Sequence, residues 1–83
     1  ALQLMMKSEC HFINGTEKVR LVERHFYNRL QHLMYDSDVG HYVGFTPFGE
    51  KQAQAENSNP ERMEYVRTAV DTYCRHNYEA FTP

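Results

Sequence analysis

The chain has 83 residues, with nine Lys and Arg against eleven Asp and Glu, and its formal net charge at pH 7 is −2. A chain this short forms one domain at most, here residues 1–83, and buries only about 60% of the surface that its unfolded form exposes. The charge balance provides no basic field, so we expect no nucleic acid as a partner. No run of 18 apolar residues occurs, which predicts a segment that does not itself span a membrane.

The first half of the chain alternates in polarity with the period of a β-strand. We predict four strands within about the first 46 residues, at 2–13, 19–28, 32–36 and 39–45. Asn14 and Gly15 tolerate positive φ and therefore predict a hairpin turn between the first two strands. Pro47 and Gly49 are expected to close the β half.

The composition becomes helix-permissive from Glu50 onward, and residues 57–60 (NSNP) interrupt the pattern. Either Ser58 with Glu61 or Asn59 with Pro60 caps a second helix after this break. An apolar stripe at helical spacing then follows, formed by Met63, Val66, Val70, Tyr73 and Asn77 with Cys74 beside it. The sequence therefore predicts an α+β fold, in which a four-stranded antiparallel sheet is followed by one long broken helix, at about 50–78, lying across it.

Two cysteines, Cys10 and Cys74, are 64 residues apart, and an N-glycosylation sequon begins at Asn14. Together these features favour an oxidising compartment and one disulfide that joins the helix to the sheet. A zinc site using the neighbouring His11 and His76 is an alternative, but their spacing does not match that of known structural sites. No catalytic motif surrounds either cysteine, so we expect no metal, no cofactor and no enzymatic activity.

One helix covers only part of a four-stranded sheet. The residues expected to remain uncovered form a strip that is partly apolar, consisting of Leu4, Met6, Ser8, Leu21, Glu23 and His25. Apolar surface of this kind is costly to leave in water, so we expect another molecule to supply the missing half of the domain.

Three segments resemble the membrane-distal, peptide-binding domain of a class II MHC β chain. They read ECHFINGTE at residues 9–17, DSDVG at 36–40 and AVDTYCRHNY at 69–78. The resemblance covers nearly the whole chain in order, and residues 81–83 resemble the start of the link to an immunoglobulin-like domain that is absent here.

The resemblance implies a heterodimer. The domain would pair with a class II MHC α chain, so that both contribute strands to an eight-stranded floor and one helix each to the walls of a groove. An extended antigenic peptide would lie in this groove and be inspected by a T-cell receptor. The resemblance also implies that the domain lies on the lumenal or extracellular side of cell-surface and endosomal or lysosomal membranes. The domain would be attached to the membrane only through the absent C-terminal part.

The same resemblance implies a set of peptide contacts. On the floor these are Leu4, Met6, Ser8, Leu21, Glu23, His25, His32 and Tyr42. On the wall and at the end of the groove they are Gln52, Arg62, Tyr65, Val66, Ala69, Thr72, Tyr73, His76, Asn77, Ala80 and Phe81. Among them, His76 and Asn77 would bond the main chain of the peptide, because a carboxamide both donates and accepts. Phe81 would make the large anchor pocket shallow.

Taken alone, several of these residues have simpler interpretations. Tyr65, Ala69 and Thr72 fit an ordinary exposed helix edge, while His76 and Asn77 fit a helix C-terminus. Three charged residues are expected to be turn and surface charges, namely Asp36, Asp38 and Arg24.

The chain also departs from the family pattern. Ala55 and Glu56 stand where the family usually carries Tyr-Trp, which removes one indole hydrogen bond to the peptide. Gln52 stands where many members have an Asp that pairs with an α-chain Arg, so the pocket beside it should accept acidic anchors more readily. Two other functions remain open: an accessory that catalyses peptide exchange on presenting chains, and a small secreted inhibitor or enzyme.

Overall fold

The computed structural model describes residues 3–81, and the predictions on Leu2, Thr82 and Pro83 lie outside the described residues. Four antiparallel strands form one sheet in the order β1-β2-β3-β4, and helices follow it. The strands are β1 (Leu4–Ile13), β2 (Lys18–Tyr27), β3 (Leu30–Asp36) and β4 (His41–Gly44). The predicted α+β fold is confirmed.

Residues in the left-handed region connect the first three strands. Asn14 and Gly15 have φ values of 54° and 67°, which confirms the predicted turn between β1 and β2. Asn28 and Arg29, at 48° and 70°, make a two-residue connection to β3, which begins two residues earlier than predicted. The fourth strand is shorter than predicted because residues 37–40 form a turn.

The helical half is divided into four pieces. They are α1 (Pro47–Asn57), α2 (Pro60–Ala69), a π-helical segment (Val70–Arg75) and α3 (His76–Phe81). The predicted break after α1 is confirmed, and the side chain of Asn59, not that of Ser58, accepts hydrogen bonds from the N–H groups of Glu61 and Arg62. None of the helices within residues 3–81 has the length and apolar composition that crossing a bilayer requires.

The prediction that Pro47 and Gly49 close the β half, with a helix only from Glu50, is wrong. Both residues belong to α1, because the Thr46 hydroxyl accepts a hydrogen bond from the Gly49 N–H at 2.9 Å and proline is well suited to the first helical position. A Cβ atom on Gly49 would overlap the carbonyl group of His32. The absence of this atom lets the start of α1 lie directly on β3.

The core lies between the sheet and the helices. Its buried residues are Val19, Leu21, Leu33, Tyr35, Tyr42, Ala53, Met63, Val66 and Cys74. The predicted stripe is correct for Met63 and Val66 but wrong for Tyr73, which is 47% exposed, whereas Cys74 is fully buried. A π-helix has more residues per turn than an α-helix, so the π-helical segment turns Cys74 instead of Tyr73 toward the sheet.

A disulfide between Cys10 on β1 and Cys74 in the π-helical segment joins the two layers, as predicted. Its Cα atoms are 5.6 Å apart, within the usual range for such bonds. Because both sulfur atoms are used in this bond, neither is available as a thiolate for zinc ligation or nucleophilic attack.

Candidate functional site

A central cavity lies between the floor of the sheet and the start of α2. Its volume is about 510 Å³. The lining residues come from three strands and one helix, and they are Met6, Glu23, His25, Tyr42, Glu61, Arg62, Tyr65 and Val66. All of them except Glu61 belong to the set of predicted peptide contacts. The structure therefore brings together seven predicted residues that are spread over 60 positions of the sequence.

A carboxylate lies on the floor of the central cavity. The Nε2 atom of His25 is 2.6 Å from Glu23 Oε1, and the Tyr42 hydroxyl donates to the same oxygen at 3.2 Å. Burial acts to raise the pKa of Glu23, but the hydrogen bonds from His25 and Tyr42 outweigh it and the pKa is lowered. Burial, with the nearby Glu23 charge, raises the pKa of Tyr42. The cavity floor thus presents an ionised carboxylate beside a neutral phenol.

An ion pair crosses the helix break above this cavity. The Nε atom of Arg62 on α2 lies 3.1 Å from Glu56 Oε2 on α1. With Gln52 and Ala55, Glu56 is one of the three residues that the sequence analysis identifies as departures from the family pattern. Glu56 thus gives the wall a charged contact that the sequence analysis does not predict.

A second, smaller space, the end cavity, has a volume of about 210 Å³. It lies where β1 begins and β2 ends, and it is lined by Leu4, Met5, Met6, His25, Phe26, His32 and Gln52. The Nε2 atom of His32 lies 3.0 Å from Gln52 Oε1, which joins the floor to α1 at this point. Gln52 is half-buried at the edge of the cavity.

A β-bulge explains the position of His32. The β2–β3 register passes from the pair His25 and Leu33 to the pair Phe26 and Gln31, so His32 has no partner across the strands. Its ring lies instead against Phe48 on α1, with centroids 5.2 Å apart, and is only 3% exposed. Alternation along the sequence gives no signal for such a bulge.

The floor residues divide into open and covered groups. Leu4 and Met6 are 74% and 54% exposed, and Ser8 beside them is also exposed. Leu21, however, is 2% exposed and packs in the core with Cys74, so its place in the predicted uncovered strip is wrong. The disulfide holds the π-helical segment over this part of the sheet, and the open strip is narrower than predicted.

The remaining predicted wall residues line neither cavity. Most of them are exposed, namely Thr72, Tyr73, His76, Ala80 and Phe81, while Ala69 and Asn77 are half-buried. All seven side chains are thus accessible, wholly or in part, along the π-helical segment and its flanking helices. Their contact with a peptide stays a prediction.

The opposite face of the sheet carries ion pairs. Arg24 bonds Glu9 at 2.5 Å, and Arg20 bonds both carboxylate oxygens of Asp36 at 3.0 and 2.5 Å. Asp36 is 5% exposed, so the prediction that it is a surface charge is wrong. The Arg20 hydrogen bond lowers the pKa of Asp36, and the Arg24 hydrogen bond lowers that of Glu9.

Comparisons with known proteins cover almost the whole chain. Residues 2–82 match the protein-family profile described as "Class II histocompatibility antigen, beta domain". The chain is 57% identical over 72 residues to the mouse (Mus musculus) "H-2 class II histocompatibility antigen, E-D beta chain", covering 87% of this chain and 27% of that protein.

Two further relatives come from human and chicken. The chain is 51% identical over 79 residues to the Homo sapiens "HLA class II histocompatibility antigen, DRB1 beta chain", covering 92% of this chain and 30% of that protein. It is 51% identical over 75 residues to the Gallus gallus "Class II histocompatibility antigen, B-L beta chain", covering 90% and 32%. The chain spans about a third or less of the length of these relatives.

Proposed function

This chain belongs to the class II histocompatibility antigen β-domain family, and we propose that it binds extended antigenic peptides as one half of a groove. A class II α chain would supply the other half, and a T-cell receptor would inspect the bound peptide. The chain would perform no chemistry, and its role would be to hold the peptide for long enough to be inspected.

One observation carries the proposal: the face of β1 that looks toward the helices is open and apolar. Leu4 and Met6 are exposed there; Leu4 lines the end cavity, and Met6 lines both cavities. Within residues 3–81, β1 is also an edge strand that pairs only with β2. An exposed apolar edge of this kind favours pairing with a further strand, which is how an α chain would extend the floor.

The peptide would be held in two ways. His76 and Asn77, accessible on α3, would bond its main chain, which is independent of peptide sequence. The central cavity and the end cavity would accept its side chains and so determine which peptides bind. The wall residues Tyr65, Ala69 and Thr72 would complete these contacts along the helices.

Two further features of the domain support a location on the lumenal or extracellular side of a membrane. A disulfide crosses the domain, and Asn14 lies exposed at a turn where an N-linked glycan would not obstruct the groove face. In this proposal, attachment to the membrane resides in parts of the protein that lie beyond the 83 residues.

The test is to purify the full-length chain with its α chain, elute bound material with acid and identify it by mass spectrometry. Presentation predicts a varied set of peptides, and Asn77→Ala should reduce peptide retention, because two main-chain hydrogen bonds are lost. An empty groove, together with faster peptide exchange on a second class II molecule, would support the accessory function instead.

A further inference from the structure

Arg75 joins the π-helical segment to the turn between β1 and β2. Its Nε atom donates to the main-chain carbonyl oxygen of Thr16 at 3.0 Å, although the two residues are 59 positions apart in the sequence. Its Nη1 atom also bonds Asp71 Oδ1, four residues earlier, at 2.6 Å. The Arg75 side chain is 32% exposed, so water only partly surrounds these bonds, and a charged donor makes each of them stronger than a neutral one.

The two bonds hold the guanidinium group of Arg75 in one orientation. A guanidinium is planar and rigid, so anchoring two of its nitrogen atoms fixes the directions of both bonds. Lysine has a single ammonium group on a flexible stem and would not hold both acceptors in this geometry. The contact with Thr16 therefore depends on the shape of arginine as well as on its charge.

Two further contacts hold the same hairpin on either side of Arg75. Cys74 comes directly before it and is bonded to Cys10 on β1. Tyr78 comes three residues after it, and the centroid of its ring lies 4.7 Å from that of Phe12, also on β1. The helical half of the domain is thus fastened to the hairpin at positions 74, 75 and 78.

His76 and Asn77 lie between these fastened positions. His76 is exposed and Asn77 is half-buried, so both are accessible to another molecule. A carboxamide bonds a peptide main chain through both its oxygen and its nitrogen only when its direction matches that of the peptide. A side chain that is already held in this direction before binding loses less conformational entropy when the peptide arrives.

We infer that Arg75 is a positioning residue, which fastens the helix to the hairpin turn and so holds Asn77 in the orientation that the main chain of a bound peptide requires. This inference rests on the proposed function. It gives a role to a residue that is absent from the predicted peptide contacts and lines neither the central cavity nor the end cavity.

The experiment separates positioning from simple stabilisation of the fold. It uses the full-length chain assembled with its α chain, and a set of peptides in which one main-chain amide at a time is replaced by an ester. Each ester removes a single N–H donor and keeps every side chain. At one position the ester should raise the dissociation rate from the wild-type complex about tenfold, and Asn77→Ala should abolish this ester penalty.

Variants at the contact should then lower the same ester penalty. Arg75→Ala should reduce it to about threefold or less, while Arg75→Lys should give an intermediate value. Asp71→Ala should also reduce it, because Arg75 loses one of its two anchors, and adding Asn77→Ala to Arg75→Ala should have little further effect. The control is Asp36→Asn, which weakens the ion pair with Arg20 on the opposite face of the sheet and should keep the full penalty.

Each remaining outcome overturns a defined claim. If Arg75→Ala releases all peptides faster to the same extent and keeps the full ester penalty, Arg75 only stabilises the fold and the inference is wrong, while the proposed function stands. If Arg75→Ala does not assemble, Asp71→Ala decides the question, because Asp71 is 71% exposed and an unchanged penalty there also overturns the inference. The absence of any Asn77-dependent penalty in wild type contradicts the main-chain contact of Asn77 and this inference with it, whereas a wild-type complex that retains no peptide contradicts the proposed function itself.

Discussion

The carboxamide of Asn57 bonds both main-chain groups of Tyr42. The Tyr42 N–H donates to Asn57 Oδ1 at 2.8 Å, and Asn57 Nδ2 donates to the Tyr42 carbonyl at 3.0 Å. β4 is an edge strand, so these main-chain groups would otherwise have no partner on that side. One side chain thereby substitutes for a neighbouring strand and fixes the end of α1 beside the central cavity.

We expect Asn57→Ala to lower the free energy of unfolding by about 1–3 kcal/mol, because two main-chain groups at a largely buried residue lose their partners. Urea unfolding measures this change, and hydrogen exchange at the Tyr42 amide should become faster. Gln54→Ala, an exposed substitution on the same helix, is the control and should stay within about 0.5 kcal/mol of wild type. Unchanged exchange at Tyr42 would show that the strand edge is protected in another way.

The fold was predictable where local patterns agree with tertiary packing. Alternation in β1 and β2, positive-φ residues at Asn14 and Gly15, and the break before Pro60 are all local signals. The start of α1 was also marked locally, by Thr46 as N-cap and Pro47 at the first helical position, but Gly49 was interpreted as a turn residue. The predicted end of the β half at Gly49 is wrong because it rests on Pro47 and Gly49 and leaves the Thr46 cap out.

The rest of the site depends on contacts that no local pattern encodes. In the π-helical segment, Cys74 faces the core and Tyr73 does not, because the disulfide requires Cys74 to face β1. The bulge at His32 arises from register across two strands. Strand parity therefore placed Glu23 and His25 correctly on the floor, whereas the bond between His32 and Gln52 was visible only in three dimensions.

Removing the disulfide should destabilise the domain strongly. The bond closes a loop of 64 residues between Cys10 and Cys74, for which the chain-entropy account gives about 4 kcal/mol. That is comparable with the whole stability of many small domains. We expect Cys10→Ser with Cys74→Ser to be largely unfolded at 37 °C by circular dichroism, with the oxidised wild type as the reference. A double variant that melts within a few degrees of wild type would contradict this expectation.

Acid should weaken the fold through Asp36. Because the Arg20 hydrogen bond lowers its pKa below the ordinary value of 3.8, the folded state favours the ionised form. Ionised Asp36 therefore stabilises the fold at pH values above 3.8. This stabilisation is lost as the pH falls below 3.8 toward the lower pKa of the folded state. Asp36→Asn should therefore be less stable than wild type at pH 6, and the difference should shrink between about pH 5 and pH 2.

Unfolding measured across this pH range checks the Asp36 prediction. The matched control is Asp38→Asn, which removes a more exposed carboxylate 3.7 Å from the same arginine. Its stability should follow that of wild type closely at every pH. A constant gap between wild type and Asp36→Asn down to pH 2 would mean that another carboxylate accounts for the acid sensitivity.

Asn14 should carry an N-linked glycan when the chain is made in the secretory pathway. It begins the sequence Asn14-Gly15-Thr16, is exposed, and lies in a turn at the end of the β1–β2 hairpin, where an enzyme can reach its carboxamide. Mass spectrometry of the secreted protein, before and after enzymatic deglycosylation, should show one glycan at this position. Asn14→Gln and Thr16→Ala should both abolish it, whereas Thr16→Ser, which keeps the acceptor sequence, should retain it. Full-length protein secreted in folded form without any sugar on Asn14 would show that the turn, although exposed, is not accepted as a substrate.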